Sequence, residues 1–132
     1  PAHGPGRWAR HPFVFLTEAA DDLCYRVVDL EDAHRLGIVS LRELEDLFLP
    51  FFRDADGYNS AGYVRQKMAG LRDANQKVQF LRAKWIGTMT CRVCDAFLRE
   101  EEALLAGALE HDLLGCLPAE DRAGIEAINA VS

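Results

Sequence analysis

The chain has 132 residues, enough for one domain or a piece of a larger one, and 49% of them are hydrophobic, so it can bury a core. With 15 Lys and Arg against 21 Asp and Glu the net charge is −6, which argues against a surface devoted to non-specific nucleic-acid binding; an anionic substrate would need local cations or a metal. No apolar run approaches the roughly 20 residues of a membrane span, and the amino terminus lacks a signal-peptide pattern, so a cytoplasmic setting with reduced cysteines is expected.

Residues 1–10 are rich in Gly and Pro, open without an initiator Met, and read as a loop; a fragment of a longer protein is expected. Pro12 suits the first turn of a helix that runs to about Leu36, where Gly37 supplies the stop. At about 100° per residue, Leu16, Ala20, Leu23, Val27 and Leu30 share one side and predict the core face. Glu18, Asp21, Tyr25, Asp29 and Asp32 cluster on the other side within roughly 80° of arc, with only Arg26 nearby as a base. Asp21, Tyr25 and Asp29 stand at i, i+4 and i+8. Such like charges repel unless a cation, a metal or hydrogen-bond donors meet them. Two readings follow from the pattern, a solvated acidic face or a face that requires a partner.

Ser40 and Glu43 have capping-box spacing and predict a second helix to about Phe52. Residues 53–60 form a polar turn whose Asp54-Ala-Asp-Gly57 imitates the opening of a calcium loop, but Arg65 stands where the bidentate Glu is required, so calcium is not expected. Ser60 caps a short helix through Leu71, and Asp73 caps a long one from about Ala74 to Arg99 with Val78, Leu81, Trp85, Met89, Val93, Ala96 and Phe97 inward. A bend at Glu100–Glu102, continued helix through Leu104, Leu105, Ala108 and Leu109, and a weak helical tail after Pro118 complete an all-α helical bundle. Cys91-Arg-Val-Cys94 has the spacing of a metal knuckle or redox pair. A zinc site needs two further ligands, for which only His111 and Cys116 are in reach, so both cysteines are read as small buried hydrophobes. His3, His11 and His34 share no spacing and are read as structural or exposed, although His11 at the helix entrance is placed to touch a substrate.

From Ala9-Arg-His-Pro through Glu18-Ala-Ala-Asp-Asp22, Tyr25 and Asp29-Leu-Glu-Asp-Ala33, the chain resembles the deoxyguanosine triphosphate triphosphohydrolase family of HD-domain proteins. Phe80-Leu-Arg-Ala-Lys84 with Ile86, and Phe97-Leu98 with Glu101-Glu-Ala-Leu-Leu-Ala-Gly107, resemble that family's following long helices. The resemblance implies an HD-domain fold, with residues 1–37 as its last metal-ligand helix and residues 38–132 as the carboxy-side helical region. It implies hydrolysis of a deoxynucleoside triphosphate to deoxynucleoside and tripolyphosphate beside a divalent metal such as Mg²⁺ or Mn²⁺. Asp21 matches the later Asp of the metal set, with Asp22 the neighbouring alternative, and Tyr25 and Asp29 match positions that line the sugar pocket. The family's upstream His and His-Asp ligands do not occur in the chain, and His111-Asp112 lies outside their context, so no catalytic residue is assigned and the chain alone is expected to be inactive. The family also implies homo-oligomers and, for some members, responses to nucleotides or single-stranded DNA; a membrane partner is not expected. The rival reading is a non-catalytic helical interaction module whose acidic face meets a basic partner.

Overall fold

In the computed structural model, which describes residues 11–53, 60–107 and 112–131, the chain enters helix α1, Pro12–Arg35, through a side-chain cap. His11 is extended, and its Nδ1 accepts the Phe13 N–H at 3.2 Å. Pro12 occupies the first helical position, where a missing N–H costs no helical bond. At the other end Gly37 adopts φ 78°, a left-handed value natural to glycine. The Ile38 and Gly37 amides then donate back to Ala33 and His34 at 2.8 and 3.0 Å, a Schellman closure.

The residues that α1 buries are Phe15, Ala19, Leu23, Val27 and Leu30. The expected stripe is therefore correct from Leu23 onward and displaced before it, since Leu16 is half-buried and Ala20 exposed. A row built on i+4 steps slants across a helix, and both Phe15 and Leu16 are apolar candidates for its start. Burial of the larger ring decides between them.

Helix α2, Leu41–Phe48, starts on the predicted box: Ser40 Oγ accepts the Glu43 N–H at 3.1 Å, and Glu43 Oε1 accepts the Ser40 N–H at 3.4 Å. It does not run on to Phe52. A 3-10 turn, Leu49–Phe51, takes over at Pro50, which has no amide to continue the α-helical ladder. Helix α3, Ala61–Ala69, is capped by Ser60 and helix α4, Ala74–Arg99, by Asp73. Glu100 breaks the direction before the short α5, Glu101–Leu105, and α6, Ala119–Val131, closes the described chain. Among the described residues there are six α-helices and no strand, only a single antiparallel bridge between Arg53 and Ser60. The fold is an all-α bundle, and none of its described helices is long and apolar enough to cross a membrane. The calcium-like segment, residues 54–59, lies outside the described residues, as do His3, Ala108, Leu109 and His111.

Helix α4 is the spine, with α1, α2 and α3 all packed against it. At its middle Trp85 is fully buried, Phe48 meeting its ring at 5.4 Å and Phe51 standing edge-on to it at 5.5 Å. Such paired rings add about 0.5–1.5 kcal/mol beyond the area they bury. The tail after Pro118 is stronger than its sequence suggests. Helix α6 buries Ile125 and Ile128, and lays Gly124 directly on Phe51.

Helix α6 also carries Asp121, whose side chain is 0% exposed. Its Oδ1 accepts from Arg53 and from Arg92, each at 2.7 Å, while Arg53 also reaches Glu120 at 3.2 Å. One carboxylate thus joins the start of α6 to the end of the α2 turn and to α4. The cysteines depart from expectation as well: Cys91 and Cys94 are exposed, as is Cys24, and Cys116 is half-buried. The inward side of α4 is already filled by Trp85, Met89, Val93 and Ala96, which leaves Cys91 and Cys94 on the outside.

Two substitutions test this packing. Gly124→Ala, which in an open helix stabilises by up to about 1 kcal/mol, is expected to destabilise by about 1–3 kcal/mol, because its Cβ meets the buried Phe51 ring at 2.5 Å. Asp121→Ala is expected to lower stability by about 3 kcal/mol, because it leaves the largely buried Arg92 without its carboxylate and Arg53 with Glu120 alone. Urea denaturation followed by far-UV circular dichroism measures both.

Candidate functional site

The outward side of α1 carries Asp21, Asp22, Tyr25 and Asp29, all exposed, with the Tyr25 ring at 71%. Asp21 and Asp29 are separated by two turns, about 12 Å along the axis, and Tyr25 stands between them. The five-residue acidic stripe expected from the sequence divides into two sets. Asp32 pairs with Arg35 at 3.5 Å, and Glu18 is also engaged. Asp21, Tyr25 and Asp29 take no hydrogen bond or ion pair from any described residue.

Val14 and Val28 share this side and are 39% and 45% exposed. On a helix at about 100° per residue, both fall within roughly 20° of Asp21. They stand about 21 Å apart along the axis, so each is a separate apolar spot beside the acids.

Two polar contacts fix how α1 is rolled about its own axis and hence where the acids point. Glu31 meets Arg82 of α4, Nε to Oε1 2.8 Å, and Arg26 Nε donates to Asn129 Oδ1 of α6, also at 2.8 Å. They leave α1 on either side of its buried stripe and brace it from both flanks. Sequence reasoning missed both: Arg26 registers only as a nearby base, and Asn129 lies 103 residues away with no local signal. His11 caps α1 through Nδ1 and is itself exposed.

A divalent metal does not fit the described residues by themselves. No three His, Cys, Asp or Glu side chains among them gather into a ligand set. Asp21 offers one carboxylate, with Asp22 turned about 100° away. His111 lies outside the described residues, and Asp112 spends its Oδ1 on the Gly115 N–H at 2.8 Å.

Unpaired, exposed acids contribute nothing to the fold and repel one another. Asp21→Asn and Asp29→Asn are therefore expected to leave stability unchanged or raise it, within about 0.5 kcal/mol. Loss of more than about 1 kcal/mol in a thermal melt at low salt would assign these residues to structure.

No family model matches the chain. Curated relatives do match it, and all of those considered carry one kind of name. A deoxyguanosinetriphosphate triphosphohydrolase-like protein from Pseudomonas aeruginosa is 40% identical over 111 residues, 82% of this chain and 23% of that protein. One so named from Synechocystis is 36% identical over 107 residues, 81% of this chain and 22% of the relative. A protein named deoxyguanosinetriphosphate triphosphohydrolase from Yersinia enterocolitica is 28% identical over 117 residues, 83% of this chain and 23% of its own length. Over four-fifths of its residues the chain is thus similar to proteins named deoxyguanosinetriphosphate triphosphohydrolase-like, and it spans about a quarter of their length.

Proposed function

We propose that the chain is the part of a dNTP triphosphohydrolase of the HD-domain type that supplies the sugar-facing helix and one metal ligand. The observation that carries this reading is the face of α1: Asp21, Tyr25 and Asp29 in line, exposed, unpaired among the described residues, and backed by a helix whose roll is braced. The relatives' names supply the reaction class and the substrate, deoxyguanosine triphosphate.

In this proposal Asp21 gives one oxygen donor to a divalent cation, whose further ligands lie outside this chain. When bound, such an ion lowers the pKa of a coordinated water and offsets charge on the phosphates. Tyr25 presents a ring for the deoxyribose and a hydroxyl that both donates and accepts. Asp29, an acceptor only when ionised, takes the hydrogen bond of the 3′-hydroxyl. Val28, beside Asp29 and one turn from Tyr25, excludes water from the apolar edge of the sugar. Arg82, Glu31, Arg26 and Asn129 act through the helix by holding its orientation. The division at residue 37 belongs to the same proposal, α1 facing the reaction and the later helices supporting it.

The expected behaviour of the isolated chain with Mn²⁺ and dGTP is no release of tripolyphosphate. Replacing the matching quarter of the Yersinia enterocolitica relative with this chain supplies the missing surroundings. That chimera is expected to release tripolyphosphate from dGTP and to lose the activity on Asp21→Asn. Asp29→Asn is expected to lower kcat/KM by about 10- to 100-fold, the worth of a hydrogen bond to a charged group. An active chimera that tolerates Asp21→Asn at full rate would end the assignment of a metal ligand to α1.

A further inference from the structure

Cys91 and Cys94 have no part in the proposed reaction. They lie in the carboxy-terminal half of α4, whose helix runs unbroken from Ala74 to Arg99, on the side opposite the buried residues. Both are exposed and free, in a residue type that is usually buried. Residues at i and i+3 of a helix hold their Cβ atoms about 5–6 Å apart. A disulfide needs about 3.5–4.5 Å between the same atoms, so these two thiols do not join while the helix is intact. A metal ion lies between its ligands and tolerates the wider span. With metal–sulfur bonds of about 2.3 Å each, two sulfurs more than 4 Å apart are served by one ion.

The ligand count selects the ion. Zinc in a closed site takes four donors, and no third His, Cys, Asp or Glu joins this pair among the described residues. Thiolates are soft donors and favour Cu(I), which is satisfied by two of them in a near-linear arrangement. The other thiols are not competitors: Cys24 lies on α1, and Cys116 donates its S–H to the Asp112 carbonyl at 3.4 Å. Burial, helped by the charges of Glu100 and Asp112 against the pull of Arg99, also pushes the Cys116 thiol above its ordinary pKa.

We propose that Cys91 and Cys94 form a surface site for a soft monovalent cation, Cu(I), held between two thiolates on one helix. Two S–H protons leave to solvent, two S–Cu bonds form, and neither sulfur nor copper changes oxidation state. The site is independent of the α1 face.

Titrating the reduced chain, under anaerobic conditions, into the coloured Cu(I)–bicinchoninate complex tests it. The expected result is withdrawal of one Cu(I) per chain, with affinity at least tenfold weaker in Cys91→Ser and in Cys94→Ser and unchanged in Cys24→Ser and Cys116→Ser. Because both side chains are exposed, the variants are expected to keep their helical circular dichroism; Cys→Ala versions repeat the measurement with a better helix former. The proposal is overturned by no uptake in the unmodified chain, by undiminished uptake in either Cys91 or Cys94 variant, by loss in the Cys24 or Cys116 variant, or by one ion per two chains.

Discussion

One buried carboxylate holds the bundle in register. Asp121 sits with no exposed surface between Arg53 and Arg92, so α6 cannot move along α4 without uncovering a charge. Breaking such a pair costs far more than the pair itself contributes, because the survivors are left desolvated. Once α6 is set, Gly124 lies on Phe51, Phe51 stands on Trp85, and Asn129 is placed to accept from Arg26 of α1. The orientation of the candidate site therefore depends on a residue at the far end of the chain.

The candidate site itself is held from behind and left open in front. Phe15, Ala19, Leu23, Val27 and Leu30 anchor α1 in the core, while Glu31 and Arg26 brace it laterally. What remains outward is a short line of acids and one phenol, flanked by two exposed valines. This face is oriented without being occupied by any described side chain. The relatives are about four times longer than the match.

Where the signal is local, the sequence and the structure agree closely. Ser40 with Glu43, Ser60, Asp73 and Gly37 each act within four residues, and each appears where its chemistry requires. The inward stripe of α4 is legible for the same reason, since one helix period determines it. Disagreements arise where two segments compete for the same space. Phe15 displaces Leu16 at the start of α1, and the larger residues of α4 leave Cys91 and Cys94 outside. Helix α6, short and rich in alanine, has little local signal, and its importance comes from what it touches.

The residues alone determined the helical class, the caps, the acid-and-tyrosine line on α1 and the likeness to a triphosphohydrolase family, because periodicity, capping chemistry and motif spacing are written along the chain. Tertiary structure decided that no described residue of another helix pairs with Asp21 or Asp29, whereas the Asp32–Arg35 pair is local to α1, three residues apart. It also decided the roll of α1, through partners on α4 and α6 that no local pattern couples to it. That choice depends on side chains far apart in sequence, Glu31 with Arg82 and Arg26 with Asn129, which come within reach of one another only when the packed core has fixed where α1, α4 and α6 stand.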